Sequence, residues 1–150
     1  MRYLYTLLFI ILFASCKSEN KNLTAQQIID KAMVASGVDK LSNSTISFDF
    51  RKRNYKATRN EGKFLLERIT TQDSVVTHDK LSNNGFERYV NNEFIIVPDS
   101  MATRYAGSIN SVHYFSVLPF GLNDAAVQKK LLKETTIKGE HYYKIQISFS

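Results

Sequence analysis

The sequence predicts an α+β fold, mainly an antiparallel β meander with an N-terminal helix and a mid-chain helix packed on it. Three observations carry this reading. Apolar and polar residues alternate over much of residues 46–97 and again before the C-terminus, the period of a half-buried strand. Turn signals separate these segments roughly every ten residues, a spacing that suits hairpins rather than βαβ units. Two other segments place apolar residues three and four apart, the period of a helix. The 10 Phe and 8 Tyr, with no Trp, agree with pleated, half-buried surfaces.

In chain order, Thr24 is the N-cap candidate of the first helix, with Gln27 three residues on as in a capping box. Ile28, Ile29, Ala32, Met33 and Ala35 form its apolar stripe and Gly37 its stop, so the spacing predicts a helix over 25–36. Ile46, Phe48 and Phe50 alternate with Ser47, Asp49 and Arg51 in a first strand, and residues 55–59 form a second. The turn Asn60-Glu61-Gly62 leads to a third strand over 63–70. Gln72-Asp73 precedes a fourth over 74–81, and Asn83-Asn84-Gly85 closes that hairpin because Asn and Gly tolerate positive φ. Residues 86–90 and 93–97 flank Asn91-Asn92 as a tight hairpin. Pro98 ends the meander, Asp99 or Ser100 caps a second helix, and Met101, Tyr105, Ile109, Val112 and Phe115 form its stripe. Pro119 and Gly121 stop it. Asn123 or Asp124 is expected to cap a short helix through Leu132, followed by strands over 134–137 and 141–149. The last strand is still alternating at Ser150, so further strands are expected beyond this chain, leaving residues 23–150 as an incomplete domain.

The N-terminus carries its own signal. Arg2 precedes a mostly apolar run, Leu4 to Ala14, of about 11 residues, within the h-region range of a secretory signal. A bilayer span needs about 20 apolar residues. Ala14 and Ser15 are small, and Cys16, the only cysteine, follows them, as at a bacterial lipobox where the thiol receives diacylglycerol. The expectation is a signal peptide over 1–15 and a lipidated Cys16 with a polar tether over 16–22. A single cysteine excludes internal disulfides and cysteine-based metal sites.

The chain is basic, with 20 Lys and Arg against 14 Asp and Glu. Its clusters, Arg51-Lys52-Arg53 and Lys129, Lys130 and Lys133, are too short and too poor in interleaved aromatics for a nucleic-acid surface, so no nucleic-acid partner is expected. His78, His113 and His141 lie far apart, without H-x-x-H or H-E-x-x-H spacing, so neither metal nor cofactor is expected. The chain has no G-x-S-x-G elbow and no phosphate-binding glycine loop, so no catalytic residues are assigned. Asp49 reads as a cross-strand or surface partner, and Asp73, Asp79 and Asp99 as turn, strand-surface and cap residues. Phe48, Phe50, Phe64, Leu66, Tyr114 and Phe115 are candidates to line an apolar cavity between sheet and helix, the kind of site that takes hydrophobic ligands.

Ile46-Ser-Phe-Asp-Phe-Arg51, Leu81-Ser-Asn-Asn-Gly-Phe86 and Asn110-Ser-Val-His-Tyr-Phe-Ser-Val-Leu-Pro-Phe-Gly-Leu-Asn-Asp124, taken with the lipobox, resemble an uncharacterised family of Bacteroidota lipoproteins. That family is similar in architecture to the half-barrels of Lol-type outer-membrane lipoprotein carriers and receptors, where a curved sheet wraps helices around an acyl-chain cavity. The resemblance implies a half-barrel-like domain on the outer membrane, at its periplasmic face or the cell surface, holding a lipid or hydrophobic ligand without catalysis. Some relatives carry the label deoxyribose-phosphate aldolase. That chemistry needs an (α/β)₈ barrel and a Schiff-base lysine in the cytosol, which conflicts with this periodicity and export signal. An envelope interaction or structural module is the alternative reading, and a hydrolase or lyase the next.

Overall fold

The computed structural model describes residues 23–150. The expected signal peptide, Cys16 and tether therefore lie outside the described residues. Helix α1 (Ala25–Ser36) begins at a capping box: Thr24 Oγ1 accepts from Gln27 N at 3.2 Å, and Gln27 Oε1 accepts from Thr24 N at 3.0 Å. Two backbone donors that a helix start leaves unpaired are thereby satisfied. Gly37, at φ 65°, ends the helix in the left-handed region and hands the chain to a 3₁₀ turn over Val38–Ser42.

Six strands follow in an open antiparallel sheet whose spatial order is their sequence order: β1 (Asn43–Phe50), β2 (Arg53–Asn60), β3 (Lys63–Gln72), β4 (Val75–Ser82), β5 (Gly85–Val90) and β6 (Glu93–Ile95). Most of the links are two-residue turns with both residues at positive φ: Arg51-Lys52, Glu61-Gly62, Asp73-Ser74 and Asn91-Asn92. Such turns match the right-handed twist of paired strands. Asparagines reinforce them. Asn43 Oδ1 accepts from Glu61 N at 3.0 Å, Asn83 Oδ1 from Phe64 N at 2.8 Å, and Asn91 Oδ1 from Val76 N at 2.9 Å.

Register places Tyr55, Ala57 and Arg59 of β2 on one face with Leu66 and Arg68 of β3, Asp79 and Leu81 of β4, and Phe86 and Arg88 of β5. Helix α2 (Asp99–Ser116) lies on this face over β3–β5. Ile109 is its fully buried anchor, among Ala57, Leu66, Leu81 and Phe86. The residue at α2's N-cap position is Pro98 rather than the expected Asp99 or Ser100, with no side-chain cap. Asp99 instead occupies the first turn, where its charge suits the helix dipole.

The face also buries an ionic cluster. Asp79, expected on a strand surface, is 2 % exposed and accepts from Arg68 Nε (3.2 Å) and Nη2 (2.7 Å) and from Arg88 Nε (2.6 Å) and Nη2 (3.0 Å). Alternation puts Asp79 in phase with Leu81, on the helix-covered side, and the two arginines make that position tolerable. Arg68 Nη1 also donates to Ser108 Oγ at 3.0 Å, joining sheet to helix.

The chain closes with a separate two-stranded sheet, β7 (Val127–Ile137) and β8 (Glu140–Phe149). The short helix expected through Leu132 is not formed, because residues 127–132 belong to β7. Val127, Lys129 and Leu131 pair with Phe149, Ile147 and Ile145, and this long-range ladder overrides a local Lys- and Leu-rich sequence that suits a helix. A register shift between Leu132 and Thr135 breaks the alternation that would have announced the strand. Ile29 of α1, Leu122 and Val127 form a second small core with Met33, Tyr114, Ile145 and Ile147. Gln26, Asp30 and Asn123 clamp α1 to the loop after α2 through hydrogen bonds of 2.7–2.8 Å.

Candidate functional site

The two cores do not meet flush. Between them a cleft of about 400 Å³ opens, lined by Arg59, Lys63, Phe64 and Leu66 at the β2–β3 turn, by Asn110, His113, Tyr114 and Val117 from the end of α2, and by Phe120, Gly121 and Asp124 from the following loop. That volume lies within the about 300–1,000 Å³ of small-molecule sites. Gly121, at φ 85°, lets the loop pass close over Tyr114: a Cβ there would sit 3.1 Å from Tyr114 Cε2.

Three polar atoms of residues lining this cleft are buried and, among the described residues, lack any hydrogen-bond partner: Arg59 Nη1, His113 Nδ1 and Tyr114 Oη. Buried polar groups are nearly always paired, since an unpaired one costs about 1–3 kcal/mol. Their chemistry differs in sign. His113, 1 % exposed, bonds the Glu67 backbone carbonyl through Nε2 at 3.1 Å. A carbonyl only accepts, so Nε2 carries the proton and Nδ1 is a free acceptor. The ring is fixed edge-on against Phe48 and Tyr55, at centroid distances of 5.7 and 5.5 Å. Burial pushes its pKa below the ordinary 6.5, and the charge of Arg59 acts in the same direction. The neutral form is thus favoured.

Arg59 is a donor with no carboxylate partner among the described residues. Its guanidinium lies 5.5 Å from the centre of the Phe120 ring, and among the described residues it enters no salt bridge. Burial lowers its pKa. Arg68 and Arg88, by contrast, share Asp79. Burial and then the negative charge of Asp124 hold the Tyr114 proton on, so Oη remains available to donate.

Of the candidate lining residues, Phe64, Leu66 and Tyr114 border the cleft. Phe48 does not; it stacks on Tyr55 at 5.4 Å, behind His113. Phe50 ends β1 beside the turn, 42 % exposed, with the Arg51 guanidinium 5.0 Å from its ring centre. Phe115 is 68 % exposed. Six residues past Ile109 at about 100° each, it has rotated off the buried face, and His113, four residues past, continues the stripe instead.

Sequence reasoning did not name Arg59 or assign His113 a site role. A signal existed for both. Arg59 shares parity with Tyr55 and Ala57, and His113, Tyr114, Phe120, Gly121 and Asp124 all fall in the segment from Asn110 to Asp124 singled out by resemblance.

Among the described residues no group of three or more metal-binding side chains occurs, and no helix is long and apolar enough to cross a membrane. No curated protein and no solved structure is significantly similar to the chain. A family model described as a family of unknown function, DUF6503, matches residues 2–150, and the chain belongs to that family.

Proposed function

We propose that this protein is a lipid-anchored lipoprotein of the bacterial envelope that holds a hydrophobic or lipidic ligand, without catalysis, in the cleft between the β2–β3 turn and the end of α2. The cleft carries this reading. Phe64 and Phe120 keep partly exposed aromatic surface at a space of about 400 Å³, floored by the buried Leu66 and Val117, that the protein's own side chains do not fill. Leaving such surface unburied forgoes roughly 25 cal/mol per Å², a cost that a bound apolar chain recovers. The lipobox ending at Cys16 supports the envelope setting and the attachment. Delivery to the outer membrane is part of the proposal, and Lys17, rather than an acidic residue, after the cysteine agrees with it.

Two measurements test it. Membranes carrying the full chain are extracted, and the isolated protein is examined for bound lipid by native mass spectrometry. A stoichiometric, exchangeable lipid is expected, and a ligand-free protein that takes up none overturns the reading. Metabolic labelling with radioactive palmitate is expected to mark the wild type and not Cys16→Ser; equal labelling of both removes the anchor.

A second reading, an envelope interaction module, draws on the apolar side chains that β7–β8 and its surroundings expose, with Phe149 64 %, Ile137 53 % and Tyr143 52 % accessible. Crosslinking in intact membranes to one defined protein, together with a ligand-free cleft, would favour it.

A further inference from the structure

We infer that the cleft selects an amphiphile with an acidic oxyanion head, a carboxylate or a phosphate, which Arg59 and Tyr114 grip while the chain lies along Phe64, Leu66, Val117 and Phe120. The inference rests on the hydrophobic-ligand reading and adds the chemistry of the head.

Two features of the cleft point to such a head, and a third to a hydroxyl beside it. The first is the unpartnered Arg59 Nη1. The protein neutralises its other two inner-face arginines on the shared carboxylate of Asp79, whereas Arg59 meets, among the described residues, the face of Phe120 and no carboxylate. A partly exposed guanidinium whose Nη1 is buried without a partner is placed to meet an anion, because charge-assisted bonds to carboxylate or phosphate are the strongest it makes. The second is Tyr114 Oη, also buried and unpartnered at the same cleft. The phenol adds a neutral donor beside the charged one, and an oxyanion head offers two acceptor oxygens for two such donors. The third is His113 Nδ1, an acceptor on a ring 99 % buried and fixed by Glu67. It asks for an O–H on the ligand, such as a hydroxyl near the head or the remaining proton of a phosphate monoester.

The surrounding charges agree. Two cations, Arg59 and Lys63, line the cleft against one carboxylate, Asp124, whose charge opposes an anion close to Tyr114, so the head sits nearer Arg59. A purely apolar ligand would leave all three polar atoms unpaired, whereas an acidic amphiphile satisfies them and covers the aromatic wall together.

The test uses membranes carrying the full chain and two photoreactive probes, a diazirine fatty acid and the alcohol of the same chain. After irradiation, labelled peptides of the protein are quantified against bulk lipid labelling. The acid is expected to label peptides from residues 59–66 and 110–124 about tenfold more than the alcohol, the effect of one charge-assisted hydrogen bond. Arg59→Gln is expected to remove that preference while alcohol labelling persists, and Arg59→Lys to restore part of it. Competition separates the sources. Excess fatty acid or dodecyl phosphate displaces the acid probe, the more potent of the two naming the head, whereas inorganic phosphate does not. Equal labelling by acid and alcohol in the wild type overturns the inference and leaves the hydrophobic-ligand reading intact. Displacement by inorganic phosphate as potent as that by dodecyl phosphate also overturns it, in favour of a small free anion. Labelling of these peptides by neither probe overturns the hydrophobic-ligand reading itself.

Discussion

Replacing Asp79 with alanine tests how the inner face of the sheet is held together. The carboxylate is 2 % exposed and receives four hydrogen bonds from Arg68 and Arg88. Its removal strands Arg68, itself 6 % exposed, with a full charge and only the Ser108 hydroxyl as partner. Arg88 suffers less, because its side chain is 18 % exposed and its guanidinium rests 3.8 Å from the Tyr105 ring centre. Removing one member of a buried ion pair costs about 3–5 kcal/mol, because the partner's charge is left uncompensated. Domains are stable by about 5–15 kcal/mol, so Asp79→Ala stands near the edge of folding. With a urea slope near 2 kcal/mol per M, a loss of about 4 kcal/mol moves the midpoint down by about 2 M. Far-UV circular dichroism in urea reads this directly. The double variant Arg68→Met, Asp79→Leu removes the buried pair and leaves only the more exposed Arg88 without its partner, so its midpoint is expected within about 1 M of wild type and well above that of Asp79→Ala. A single variant that loses under about 1 kcal/mol refutes the reasoning, as does a double variant no more stable than the single.

Three further outcomes follow from the same structure. Ile109→Ala, at a fully buried position among Ala57, Leu66, Leu81 and Phe86, is expected to cost about 2–5 kcal/mol in urea unfolding; a loss below about 1 kcal/mol means α2 is not anchored there. Thr24→Ala breaks the capping box of α1 and is expected to cost about 1 kcal/mol, visible as a lowered thermal midpoint, and Thr24→Ser is expected to keep most of it. Burial holds the His113 pKa below its unfolded value, so above pH 6.5 both states are neutral and the group contributes nothing. As pH falls through 6.5 the unfolded chain takes the proton first, and stability declines with a slope of at most about 1.4 kcal/mol per pH unit. His113→Gln is expected to flatten that part of the stability profile, and an unchanged slope would count against a neutral, buried imidazole.

Local chemistry made α1 and the meander legible. The capping box at Thr24 and the glycine at position 37 fixed both ends of the helix, and Asn-rich or Gly-containing pairs marked most hairpins. Arg51-Lys52 escaped notice because neither residue favours positive φ, and the turn there is imposed by the pairing of Phe48 with Tyr55 and Phe50 with Arg53. The strand over 127–132 was hidden because its apolar positions sit in phase with a partner nearly twenty residues away and pass through a register shift. Charged residues caused the other misreadings. Asp79 and Arg59 occupy inward positions by parity, but a charge at such a position reads as surface until its partner, or its lack of one, is known. Half of the candidate cavity residues, Phe64, Leu66 and Tyr114, border the cleft, whereas helix rotation carries Phe115 away from it.

Among the described residues no backbone ladder joins the two sheets. The six-stranded sheet with α2 and the β7–β8 hairpin with α1, each with its own small core, are therefore expected to open as separate units. Tyr114 belongs to the hairpin's core, while its neighbour His113 is seated on the sheet. Amide exchange in β7 and β8 can then proceed by sub-global opening that leaves β2–β4 protected. A molecule held at the seam would bind only when both units are closed, and so would raise the protection of the hairpin toward that of the sheet, turning two folding units into one.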